Sequence, residues 1–271
     1  MQVQDLDVVR MCVAATEENS EFANTARHQD PGEFTTVLLR AVREEMECEE
    51  EEGRMVAAEG ARFSRLFTLE ILQHKWCPRH HSRVEQEEHS ILQLPIVDIV
   101  TREPLITLPQ VINAYFSKEE IEDSKCEECG LQVSQRREPD CPPVLLLQYI
   151  RFLYDQDNDT AFKLGYPITA PESLTFGGEE YQLRGFLCHR GESCYSGHYN
   201  AVVRCAVTGH YYLTNNEDPI ELISQEDAMD CVLHAYILLY EKQTADQDGL
   251  LDALLGDALQ QLRRAGRQVK Y

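Results

Sequence analysis

The sequence predicts an α+β fold, and three observations carry that prediction. Val144–Ile150 is an unbroken apolar run of the length of a buried strand. Asn200–Val207 and Tyr211–Thr214 alternate as two short strands joined through a turn at Thr208-Gly209. Apart from these strands, Phe34, Val37, Leu38 and Ala41 fall on one helical stripe, and Leu108–Phe116 reads as a second short helix.

Taken in order, residues 1–27 mix apolar and acidic positions without a strong period, with a short helix near Asp7–Ala15. The stripe from Phe34 follows Gln29-Asp30-Pro31-Gly32, where Asp30 is placed to cap a helix. That helix is expected to run out at Glu44–Gly53, a block of like charge that repels itself and favours a solvated loop. Phe63–Gln73 alternates as a strand and delivers the chain to Trp76-Cys77-Pro78-Arg79-His80. Ser90–Val97 is strand-like, and Ser117-Lys118-Glu119-Glu120 reads as a capping box for one more helical turn after Phe116. Tyr181–His189 leads as a strand into Gly191–Gly197, Ser224 caps a short helix, and His234–Glu241 closes as a strand. Beyond it, Leu250, Leu251, Leu254, Leu255, Leu259 and Leu262 mark an amphipathic helix, for docking within the chain or for a partner.

Composition narrows the function classes. The 271 residues carry 25 Lys+Arg against 47 Asp+Glu, a formal charge of −22, which disfavours nucleic acid and anionic membranes and favours a basic partner surface or a merely solvated one. The start lacks a basic segment and an apolar stretch of signal-peptide length, and no run approaches about 18 apolar residues, so the chain is expected to be soluble, in cytoplasm or nucleus. In that setting the ten cysteines are reduced thiols, with metal binding where spacing allows.

Two constellations carry chemistry. Cys126-Glu127-Glu128-Cys129-Gly130 is a knuckle whose sulfurs can face one ion, and Cys77 with His80 repeats its spacing. Together these four form a candidate zinc site, with His81 a competitor for His80; a knuckle without metal is the plainer reading. Further on, the glycine before His198 permits close approach of backbone or substrate, and the apolar strand that follows would hold the imidazole rigidly. Near neutrality such a ring can take and return a proton, provided a third group fixes its tautomer. The hairpin would bring Asn215 or Asn216 beside it; otherwise His198 is one of nine histidines, in an ordinary hairpin.

The order of Gln29-Asp30-Pro31-Gly32-Glu33-Phe34, the two knuckles, Val144–Phe152 with its Arg-Phe ending, His189-Arg190-Gly191 through Gly197-His198-Tyr199, and Ala235–Lys242 resembles a ubiquitin-specific protease catalytic domain. The resemblance covers roughly residues 28–242 and implies a papain-like cysteine peptidase fold shaped as a hand, with a palm of antiparallel strands, a thumb and zinc-tied fingers. It divides the chain into a thumb remnant (1–44), an acidic linker (45–62), fingers and palm (63–165), palm with the histidine box (166–242) and a C-terminal helix (243–271). It makes His198 the general base, Asn215 and Asn216 the polar residues that orient it, and Cys77, His80, Cys126 and Cys129 the zinc ligands, His80 standing where a cysteine is usual. The partner it implies is ubiquitin or a ubiquitinated protein, whose basic tail suits an acidic surface.

One departure stands out. The family's nucleophile sits in a Gly-x-Thr-Cys segment well before the glutamine-aspartate box, and here only Cys12 precedes Gln29, without the glycine or a neighbouring Asn or Gln to stabilise an oxyanion. Cys12 reads as a small buried apolar residue. The expectation is a truncated or inactive domain, with a non-catalytic ubiquitin-binding module as the alternative.

Overall fold

The computed structural model describes residues 30–48, 65–98, 100–215 and 218–243. They fall into two units, a first reaching Leu66 and a second spanning Phe67–Lys242. The readings for residues 1–27, Cys12 and the C-terminal leucine stripe lie outside the described residues.

In the first unit, helix α1 (Pro31–Cys48) starts where the sequence placed its cap. The Gly32 and Glu33 N–H groups donate to Asp30 Oδ1 at 2.7 and 3.1 Å. Pro31 occupies the first turn, where a missing N–H costs nothing. Phe34, Val37 and Leu38 are half-buried along the stripe. The acidic block does not stop the helix at once: Glu44, Glu45 and Glu47 lie within it. Glutamate is a good helix former, and the local propensity outlasts the start of the charge run.

The second unit is built from β1 (Leu69–Trp76), β2 (Ser82–His89), β3 (Leu92–Pro95), α2 (Leu108–Phe116), β4 (Glu119–Lys125), β5 (Gln132–Pro139), β6 (Val144–Ile150), β7 (Phe152–Asp155), β8 (Thr160–Lys163), β9 (Ser173–Phe176), β10 (Glu179–Arg190), β11 (His198–Arg204), β12 (Tyr211–Thr214), β13 (Glu221–Ile223), α3 (Gln225–Val232) and β14 (Ala235–Lys242). The larger sheet runs β13-β12-β11-β10-β14-β6-β3, with β9 added on β10. The expected apolar strand β6 lies one in from the β3 edge, antiparallel to β14 and parallel to β3, so Leu147 sits between Leu238 and Leu92. Leu145, Leu147, Tyr149, Leu238 and Tyr240 are 0–1% exposed and anchor the core.

Arg151 leaves β6 and is itself buried, 2% exposed. Its guanidinium donates to the carbonyls of Ala235 (2.8 Å), Leu164 (3.1 Å), Tyr166 (2.8 Å) and Leu233 (3.2 Å). A rigid fork of donors thereby ties β14, the segment after β8 and the end of α3 to one point, which satisfies a cation that burial alone would penalise.

The smaller sheet, β2-β1-β5-β4, corrects two expectations. Residues 65–67 form a helical turn, so β1 begins only at Leu69 and continues to Trp76. Ser117 ends α2, its Oγ donating to the Ala114 carbonyl at 2.8 Å, and Glu119 opens β4 instead of another helical turn. There Glu119 lies opposite Gln135 of β5, and pairing overrides the local capping pattern. Among the described residues, no helix is long and apolar enough to cross a membrane.

Candidate functional site

The loop between β10 and β11 is folded tightly against its own strand. Gly191 has φ +124, open to glycine but not to other residues without strain. A Cβ on Gly197 would come within 2.1 Å of His189 Nε2 and 2.6 Å of the Arg190 carbonyl, so the backbone at 197 lies directly on the His189 ring. That ring is 2% exposed, packed edge-on to Phe152 with centroids 5.1 Å apart and tilted against Tyr199 at 4.9 Å.

His198 follows as the first residue of β11, opposite Arg190. The register of β11 with β12 sets Thr214 against Ala201, so the next residue, Asn215, arrives beside the half-buried His198. Asn215 Oδ1 and His198 Nε2 are hydrogen-bonded. An amide oxygen only accepts, so Nε2 bears the hydrogen and Nδ1 keeps the lone pair that can take a proton. The orientation of the amide is fixed from its other end, where Asn215 Nδ2 donates to Asp218 Oδ2 at 2.5 Å. Asp218 was not singled out from the sequence, because an acidic residue in a polar run carries no distinguishing spacing. Asn216 lies outside the described residues. Among the described residues no cysteine sulfur is hydrogen-bonded to His198, whose described partner is Asn215.

The second cluster sits at the tips of two hairpins. In the first, the Cys77 N–H donates to the His81 carbonyl at 3.0 Å and the His80 N–H to the Cys77 carbonyl at 2.9 Å. In the second, Cys126 and Leu131 close the turn, with Gly130 at φ +69. The ligand atoms of Cys77, His81, Cys126 and Cys129 all lie within 4.8 Å of one another, a group that could hold a metal ion. His81 therefore replaces the expected His80. The cause is the turn: His80 takes φ +65 and stays exposed, while His81, the residue after it, enters the group.

Within the cluster, the Cys77 and Cys129 sulfurs are 3.6 Å apart and His81 Nδ1 is 3.4 Å from Cys126 Sγ. The hydrogen bond with Cys126 raises the His81 pKa, burial opposes it, and Glu128, 3.4 Å from Nε2, adds to the rise. The same bond holds the Cys126 thiol below the usual thiol range. Burial pushes Cys77 up, but hydrogen bonds from the backbone at Arg79 and His81 leave it below that range. Cys129 goes the other way: a hydrogen bond from the Leu131 backbone lowers its pKa, but burial and the neighbouring Cys126 and Cys77 sulfurs leave it above the usual thiol range. Thiolates and an imidazole are the donors a soft divalent ion requires.

A family model described as ubiquitin carboxyl-terminal hydrolase matches residues 9–240. Ubiquitin carboxyl-terminal hydrolase 48 of Danio rerio is 29% identical over 176 residues, 51% of this chain and 17% of that protein. Ubiquitin carboxyl-terminal hydrolase 13 of Saccharomyces cerevisiae is 24% identical over 248 residues, 80% of this chain and 32% of the relative. Human Ubl carboxyl-terminal hydrolase 18 is 27% identical over 185 residues, 56% and 48% of the two chains. The matched part thus spans less than half the length of each of these three relatives. Among solved structures, the SAGA Ubp8/Sgf11/Sus1/Sgf73 DUB module bound to ubiquitin aldehyde superposes with a TM-score of 0.69 at 21% identity, over 88% of this chain and 54% of that one. A second structure of the module, bound to monoubiquitin, gives 0.72 at 21% identity, over 88% and 53%. At that identity the likeness is one of fold.

Proposed function

The chain belongs to the ubiquitin carboxyl-terminal hydrolase family, and from that premise we propose that it recognises ubiquitin, with His198 as the general base and Asn215 as its orienting partner in hydrolysis after the C-terminal glycine of ubiquitin. The observation that carries this reading is the His198–Asn215 hydrogen bond, with Asn215 itself held by Asp218. It leaves Nδ1 free to take a thiol proton. The thiolate would attack the carbonyl carbon, the imidazolium would return the proton to the departing lysine amine, and water would cleave the thioester. Asparagine suits the orienting role, since it fixes the tautomer without a charge.

Among the described residues no thiol is hydrogen-bonded to His198, and Cys12 lacks the sequence surroundings of a nucleophile; on that reading the chain as given binds ubiquitin without cleaving it. Ubiquitin carrying a thiol-reactive electrophile at its C-terminus, alongside a calorimetric titration with plain ubiquitin, tests both parts. Binding without an adduct supports the reading. A covalent adduct shows that a cysteine of the chain completes the site, and absence of binding removes the reading altogether.

The same proposal assigns the Cys77, His81, Cys126 and Cys129 cluster a structural zinc ion. Tetrahedral zinc with bonds of about 2.3 Å to sulfur and about 2.0 Å to nitrogen sets ligand atoms about 3.8 Å apart for two sulfurs and about 3.5 Å apart for nitrogen and sulfur. The separations of 3.6 and 3.4 Å fit that frame. Glu128 at His81 Nε2 would be the outer carboxylate that orients a ligating imidazole. Metal analysis of the purified chain, expected at one zinc per molecule, checks the assignment; a chain free of zinc contradicts it.

A further inference from the structure

The short β7–β8 hairpin, for which no role has been given so far, touches the histidine loop at three points. Lys163 Nζ, at the end of β8, donates to the His189 carbonyl at 2.9 Å and to the Gly191 carbonyl at 2.7 Å. Those carbonyls flank Arg190, the last residue of β10 to pair with β11, whose partner in the register is His198. From β7, the ring of Phe152 packs edge-on against His189, the ring on which Gly197 rests. From the loop side, the Tyr195 hydroxyl accepts from the Ala161 N–H at 3.4 Å. The ammonium thus grips the strand on both sides of the rung that delivers the base, and the Phe152–His189 ring contact and the Tyr195 hydroxyl add two further points of attachment.

We propose that the β7–β8 hairpin positions the general base, with Lys163 as the positioning residue that fixes the start of the 191–197 loop and, through it, His198 against Asn215. A lysine satisfied by carbonyls alone is an unusual use of a cation at a partly buried place. Burial pushes its pKa down, as do the nearby Arg151 and Arg190, so the two carbonyls offset a real cost. Lysine suits the task because its compact ammonium offers three donors on a flexible stem and reaches two carbonyls from one atom. The proposal rests on the assignment of His198 as base.

The test uses the whole chain with Lys163→Met, Lys163→Arg and Tyr195→Ala, each checked for fold by circular dichroism. In histidine-labelled protein, the Nε2–H signal of His198, assigned by its loss in His198→Gln, reports the tautomer and its hydrogen bond. Lys163→Met is expected to broaden or abolish that signal, Lys163→Arg to keep it, and Tyr195→Ala to weaken it. Affinity for ubiquitin should fall about tenfold in Lys163→Met, while affinity for ubiquitin shortened by its last two residues changes less than about twofold. A folded Lys163→Met protein with an unchanged His198 signal overturns the proposal. Should Lys163→Met fail to fold, Tyr195→Ala decides, since that side chain is 70% exposed and its loss spares the core; an unchanged signal there overturns the proposal equally. If the unaltered chain binds no ubiquitin, the functional reading falls, and the His198 signal still decides this one.

Discussion

The two larger sheets of the second unit hold together by different means. In the larger one, β6 and β14 press Leu145, Leu147, Leu238 and Tyr240 into a dry core. In the smaller one, the strands carry charge on both faces. Glu70 lies opposite Glu88, and Gln86 bridges to Glu70 at 2.9 Å; Arg137 pairs with Glu119 at 2.7 Å, and His74 with Glu138 at 3.4 Å. The half-exposed His74–Glu138 pair contributes little, and the more buried Arg137–Glu119 pair ties β5 only to β4. Among the described residues, only Leu69 and Ile71, at the start of β1, join the core from the smaller sheet; its far end depends on what binds the hairpin tips together, while the larger sheet stands on apolar burial.

The largest effect should come from removing the proposed zinc ion. Structural zinc in small modules contributes roughly 10 kcal/mol or more of folding free energy. A chelator is expected to release amide exchange protection in β4 and β5 while β6 and β14 stay protected, read by hydrogen exchange. Equal loss in both sheets would erase the distinction drawn here.

Next, Leu147→Ala in β6, at 0% exposure, should cost about 3 kcal/mol in denaturant unfolding. Leu72→Ala in β1, at 39% exposure, should cost less than about 0.5 kcal/mol. Comparable costs would mean that the smaller sheet also relies on apolar packing.

Gly197→Ala sharpens the comparison within the larger sheet. The added methyl meets both the His189 ring and a backbone carbonyl, so a cost of about 1–3 kcal/mol is expected, with His198 displaced more than the core. Nuclear magnetic resonance shifts confined to 189–200 would bear this out.

The smallest effect is one of pH. The hydrogen bond from Lys75 holds the Glu85 pKa below its ordinary value of 4.5, with burial opposing and Arg83 assisting. A depressed carboxylate stabilises the folded state above the unfolded pKa and loses that contribution as pH falls through the folded one. Acidification below about 4.5 should thus loosen β1 from β2 slightly, and Glu85→Gln should flatten that part of the profile.

The same contrast explains what the sequence disclosed. β6 and β14 are legible as near-continuous apolar runs that bury almost throughout, and β10 because its apolar residues bury largely in a strand period. Ser82–His89 and Gln132–Pro139 give no such signal: Arg83, Glu87 and Arg136 are exposed and polar, and only pairing with β1 makes strands of them. At the knuckle, spacing pointed to His80, but the turn at φ +65 brings His81 instead into the group with Cys77, Cys126 and Cys129, and backbone conformation cannot be counted off in residues. Asn215 was readable because hairpin register follows from the turn at Gly209. Lys163 and Arg151 were not, since a single cation in or beside a short strand looks like any surface charge until its carbonyl partners are in place.

The central claim, that His198 with Asn215 faces the tail of ubiquitin, is met most directly by following the His198 imidazole resonances during a titration with ubiquitin and with ubiquitin shortened at its C-terminus. The account predicts a saturable shift of His198 with the full-length protein and none with the shortened one. A His198 signal that ignores both, in a chain that nevertheless binds ubiquitin, would contradict it.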